Sequence, residues 1–146
     1  MLPFPAHPGG FDAFQGQGND FTQYHSFGFR ILPMIYWQDW ASSDNFRSWT
    51  KEKVFYSVKY STDSPPVWPT FSITTTDWCK NDETCHRRHI VEALLIAANS
   101  GKDDVRYGSR TVEMFHYNEW GEEEWGRLSY ALSTANEIIS TNNFRF

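Results

Sequence analysis

Val54-Phe55-Tyr56-Ser57-Val58-Lys59-Tyr60-Ser61 and Trp68-Pro69-Thr70-Phe71-Ser72-Ile73-Thr74-Thr75-Thr76-Asp77-Trp78 are the two stretches on which the fold reading turns. In the first, Val54, Tyr56, Val58 and Tyr60 alternate with Ser57, Lys59 and Ser61, with Phe55 the exception. Successive strand side chains point to opposite faces, so the alternation predicts a strand with one face on a core. In the second, Phe71, Ile73 and Thr75 alternate with Thr70, Ser72, Thr74 and Thr76. That predicts the returning strand, with a polar threonine face toward solvent. Thr62-Asp63-Ser64-Pro65-Pro66 between them is turn chemistry.

Upstream, residues 30–37 predict a short strand, demoted to an edge or a bulge by Pro33. A short helix is expected to begin near Ser42 to Asp44. Downstream, Thr84 can cap a helix whose buried stripe is Ile90, Val91, Ala93, Leu94, Leu95, Ala97 and Ala98. Asn99-Ser100-Gly101 ends it, because Gly101 suits the left-handed position after a helix. Residues 111–117 predict a third strand. Trp125, Leu128, Leu132, Ala135 and Ile139 then fall at helical spacing. Glu122, Glu123 and Glu124 sit in the first turn of that helix, where carboxylates offset the positive end of its dipole. With this stripe read as core, a charge at Leu132 is expected to unfold the chain.

The predicted fold is α+β: an antiparallel sheet of three to four strands with two helices packed on it, preceded by an extended aromatic arm. Residues 1–29 form the arm and residues 30–146 a single domain. The arm is rich in Gly, Pro, Gln, Asn and His and has no Lys or Glu. Phe4, Phe11, Phe14, Phe21, Tyr24 and Phe27 punctuate it at intervals that fit neither helix nor strand. If ordered, each residue costs on the order of 1 kcal/mol of backbone entropy. Buried Phe rings, at roughly 1.5–3 kcal/mol each, could offset that cost against this domain or a neighbouring subunit.

The 146 residues suit one domain, and a chain of that size buries about two-thirds of its unfolded surface. A net charge of −5 argues against a protein that wraps duplex nucleic acid, which needs a basic field. The basic groups Arg47, Lys51 and Lys53, then Arg87 and Arg88, then Lys102, Arg106 and Arg110 read as solvated surface. No apolar run approaches the ~18 residues of a membrane helix. The N-terminus has no basic region followed by an apolar core, so no secretory signal is expected, and compartment stays open.

Cys79-x5-Cys85-x3-His89, with His86 beside it, is the densest chemical constellation. It resembles the last three ligands of a Cys3His zinc finger, but the first cysteine is missing. A tetrahedral site would then need His86, His25, His116 or a carboxylate. The open readings are zinc, a local Cys79–Cys85 disulfide and two free thiols; the expectation is no metal and no cofactor. His116 reads as a core histidine. As a catalytic base it would need Glu113 or Glu119, and Glu113 lies three residues away, on the opposite strand face.

Aromatics make up 18% of the chain, with 12 Phe, 7 Tyr and 7 Trp, too many Trp for all to be core. Trp78 and Trp125 read as core; Trp37, Trp40, Trp49 and Trp120 flank turns and read as contact surface. The sequence therefore reads as a non-catalytic structural or interaction subunit whose partners are other protein chains, copies of itself included. The alternatives are a small module binding a carbohydrate or other flat ligand, and a small enzyme using His116.

Overall fold

The computed structural model describes residues 32–59, 69–99, 113–114 and 120–141. They form α1 (Trp37–Trp40), α2 (Phe46–Lys59), β1 (Thr70–Phe71), a 3-10 turn (Asp77–Cys79), α3 (Glu83–Asn99), β2 (Glu113–Met114) and α4 (Glu122–Ser140). The antiparallel sheet expected from sequence is overturned. Among the described residues the fold is mainly helical, with one ladder of two residues per strand, and that ladder is parallel.

Residues 54–59 belong to α2, not to a strand. The helix starts at a local turn, in which Asn45 Oδ1 accepts the Ser42 N–H at 2.7 Å and Ser42 O accepts the Phe46 N–H at 2.9 Å. From there Phe46, Thr50, Lys53 and Val54 are all buried, at spacings of three and four. That stripe stacks one turn on the next against the core, whereas among the described residues no strand pairs with 54–59 to reward the alternation. Phe55 is 52% exposed. The turn at 62–66 lies outside the described residues.

The returning strand shrinks to Thr70–Phe71, and of its predicted solvent face only Thr74 is exposed, while Thr70, Ser72 and Thr76 are buried. Thr70, Phe71, Ser72 and Ile73 are all buried. Covering on both faces is the mark of a parallel ladder. Thr70 aligns with Glu113 and Phe71 with Met114, and α3 lies between the two strands in the chain, which is the crossover a parallel pair requires. On the other side of β1, the short strand expected at 30–37 is reduced to one bridge. Ile35 N–H donates to Thr70 O at 2.8 Å, and Thr70 N–H donates to Pro33 O at 2.9 Å. The ladder stops at Ser72 because the Gln38 side-chain amide takes the next carbonyls, Ser72 O at 2.8 Å and Thr74 O at 3.3 Å.

α3 runs through the centre. Asp82, not Thr84, caps it: its Oδ1 accepts the Thr84 and Cys85 N–H groups at 3.0 and 3.2 Å. His89, Ile90, Val91 and residues 93–97 are all buried, as in a helix covered on nearly every side. It packs between α2 and α4. Trp37 joins the layers, with its ring edge-on to both Phe46 and Phe71 at 5.5 Å.

α4 lies along α3. Glu124 reaches back to accept the Gly121 N–H at 2.9 Å, and Glu122, Glu123 and Glu124 occupy the first turn. The buried face is Arg127, Ala131 and Ala135, flanked by the partly buried Leu128 and Ile138. The expected core stripe is therefore rotated. Trp125 and Leu132 are each 49% exposed and Ile139 is 38% exposed. Leu132 is consequently not a position where a charge unfolds the chain. No helix of the described residues is long and apolar enough to cross a membrane.

Candidate functional site

Two features could carry function: a sulfur–imidazole cluster at the start of α3 and the outward face of α4. The cluster is built on a tight loop. Cys79 ends the 3-10 turn, and Lys80 follows at φ 51°, a backbone that L-residues rarely adopt. His86 braces this loop. Its Nδ1 accepts the Thr76 N–H at 3.3 Å, and its Nε2–H donates to Lys80 O at 3.0 Å, which sets the Nε2–H tautomer. Asp82 N–H donates to Cys79 O at 2.9 Å.

Cys79 and Cys85 are bonded as a disulfide, with Cα atoms 5.5 Å apart. Closing so short a loop constrains the unfolded chain by about 2 kcal/mol. His89 sits one helical turn beyond Cys85. Its Nδ1 is 2.8 Å from Cys85 O, 3.4 Å from Cys79 Sγ and 3.7 Å from Cys85 Sγ. The Phe46 and Trp78 rings meet its imidazole edge-on at 4.6 and 5.8 Å. Burial is the main reason its pKa lies below the ordinary histidine value, so His89 is neutral at pH 7.

Two clefts flank the start of α3. One, of about 580 Å³, is lined by residues including Arg47, Lys51, Arg88, His89 and Glu92, and Arg47 pairs with Glu92 across it at 2.9 Å. The other, of about 430 Å³, includes Lys80, Glu83, His86, Arg87 and Arg127. There Arg127, only 3% exposed, grips Glu83 through Nε at 2.8 and 3.0 Å and Nη2 at 2.9 Å. Hydrogen bonding from Arg127 is the main cause holding the Glu83 carboxyl below its ordinary range. The stability this contributes is present above the ordinary glutamate pKa of about 4.3 and is lost as pH falls through the lowered folded value. Glu83→Gln is accordingly expected to flatten the acid side of a melting-temperature profile and to leave its slope near neutrality unchanged.

Of the binding residues read from sequence, Trp37, Trp40, Trp49 and Trp120 lie among the described residues, and the rings of Trp40 and Trp49 come within 6.2 Å of each other. Trp37 is 1% exposed, so it is core and not contact surface. Trp40, Trp49 and Trp120 are half-buried. Trp125, read as core, is half-exposed with its ring 4.9 Å from that of Trp120. Trp78 is half-buried against His89. Lys53, read as solvated, is buried, with its ammonium 2.9 Å from Glu52 and 6.0 Å from the Trp49 ring centre. Phe4, Phe11, Phe14, Phe21, Tyr24, Phe27, His116 and the basic group at 102–110 lie outside the described residues. The Glu83–Arg127 pair was missed, since 44 residues separate its members and no spacing rule joins them. The chain matches no family model, and no curated protein or solved structure matches it.

Proposed function

We propose that this chain is a non-catalytic subunit that assembles with other protein chains, and that the occupant of the outward face of α4 is a second copy of itself. One observation carries the reading: Trp125, Leu132 and Ile139 are exposed at intervals of seven on α4, beside the Arg127, Ala131 and Ala135 face that packs on α3. Seven residues return a side chain to nearly the same face, so the three form one apolar seam. Leu128, half-buried, falls at the heptad position between Trp125 and Leu132, while Ala135, at the next such position, is buried in the core. Between Leu128 and Asn136 the helix carries no charge that would oppose an identical seam. Glu122, Glu123 and Glu124 crowd one end, so a two-fold antiparallel pairing, which places the two acidic ends apart, is favoured over a parallel one.

Covering three half-exposed side chains on each of two copies recovers on the order of 5–9 kcal/mol. Association itself costs about 4–15 kcal/mol, so the seam alone gives a weak, concentration-dependent pair. The aromatic segment 1–29, with Phe4, Phe11, Phe14, Phe21, Tyr24 and Phe27, and the ring faces of Trp40, Trp49 and Trp120 supply the remaining contact in this reading. Solution mass against concentration, for the native chain and for Leu132→Asp, tests it.

A further inference from the structure

Cys79, Cys85 and His89 bring two sulfurs and an imidazole nitrogen within 4.8 Å of one another. A tetrahedral ion with bonds of about 2.3 Å to sulfur and about 2.05 Å to nitrogen holds such a nitrogen and sulfur about 3.6 Å apart. The two distances from His89 Nδ1, 3.4 and 3.7 Å, bracket that value. Two things stand in the way: the sulfur–sulfur bond, because bonded sulfurs are not thiolate donors, and the hydrogen bond that His89 Nδ1–H donates to Cys85 O.

The loop that converges these donors is held by contacts that involve no sulfur. His86 ties Thr76 N–H to Lys80 O, Asp82 N–H holds Cys79 O, and Asp82 Oδ1 holds Cys85 N–H. His89 is fixed by α3 and by the Phe46 and Trp78 rings. Donors supported in this way stay converged when the disulfide opens.

We propose that the reduced form of this centre is a Cys2His site for a thiophilic tetrahedral divalent cation of the Zn²⁺ type. Cys79 and Cys85 serve as thiolates, His89 binds through Nδ1, and an exogenous ligand takes the fourth position. Soft sulfur donors select such ions over Mg²⁺ or Ca²⁺, which want oxygen. His89 adopts the Nε2–H tautomer and gives up its contact with Cys85 O. Each bound ion releases two thiol protons. Metal and disulfide exclude one another, so occupancy follows the redox state. The missing first cysteine of a Cys3His pattern is thus no obstacle, since an open fourth position is normal for three-ligand zinc sites.

The test uses the whole chain and Co²⁺ alone as the probe, without oxygen. A trialkylphosphine reduces the disulfide: phosphorus is oxidised by two electrons to the phosphine oxide, taking oxygen from water, and the water protons appear on the two thiols. Far-ultraviolet circular dichroism follows the fold in parallel. The reduced chain is expected to keep its helicity and bind one Co²⁺ with a thiolate-to-cobalt charge-transfer band and tetrahedral visible bands, all removed by Zn²⁺. The disulfide form is expected to show none of these. Cys85→Ser, at a half-exposed position, is expected to remove about half the charge-transfer intensity, and His89→Gln to weaken binding about tenfold or more. A reduced, helical chain with only the spectrum of hydrated cobalt overturns the proposal. So does a loss of helicity on reduction alone, or a cobalt spectrum and affinity that both variants leave unchanged.

Discussion

Ala131→Asp is expected to unfold the protein, although the same change at the next residue, Leu132, leaves it folded. Ala131 is 0% exposed at the contact of α4 with α3, in one core cluster with Ala93, Ala97 and Ala135. Small residues there let the two helices approach closely, so a longer side chain has no room, which by itself costs about 1–3 kcal/mol. The carboxylate costs more than the crowding. Burying it without a partner costs at least several kcal/mol, against a total stability of about 5–15 kcal/mol for a domain. Leu132 is 49% exposed, and an aspartate there stays hydrated. Thermal melts followed by circular dichroism check the pair: no cooperative transition for Ala131→Asp, and a transition close to the native one for Leu132→Asp.

Arg127→Met is expected to cost about 2 kcal/mol. The methionine keeps most of the stem's packing, so the loss isolates the guanidinium. Its hydrogen bonds to Glu83 tie the first turn of α3 to α4, and Glu123 and Glu124 lie 3.4 and 3.8 Å from its nitrogens. A hydrogen bond to a charged group contributes about 1.5–3 kcal/mol, and breaking a fully buried ion pair costs about 3–5 kcal/mol. Glu83 is 39% exposed, so water solvates the abandoned carboxylate and the lower range applies. Urea unfolding should show a lower midpoint with an unchanged slope. Adding Glu83→Gln should restore part of the loss, since the unpaired charge is then gone.

The two long terminal helices were the most legible parts of the sequence. The apolar run from Ile90 needs a long buried helix, and three glutamates before a periodic stretch mark a helix start. What sequence did not reveal was which side of α4 faces the core. Its apolar positions cover more than one face, and the buried one is chosen by alanines and by Arg127, whose partner lies far away in the chain. Residues 54–59 failed for a different reason. β-branched and aromatic residues alternate there, but Thr50 and Lys53, both polar, complete the buried helical stripe and were invisible to a hydrophobic pattern. The parallel ladder was equally hidden, because two residues per strand leave no periodicity to read. The Cys79, Cys85 and His89 spacing did point to one place, and what it could not convey was the brace that His86 and Asp82 provide.

The central claim is that α4 has two working faces, one packed on α3 and one for another copy of the chain. Sedimentation equilibrium of the native protein and Leu132→Asp over a wide concentration range tests it most directly. The expected result is a native mass that rises with concentration from 17.1 kDa toward twice that value, and a Leu132→Asp mass that stays at 17.1 kDa with its helicity intact. A native chain that remains at 17.1 kDa up to concentrations on the order of 1 mM, or a folded Leu132→Asp that associates as the native chain does, would contradict it.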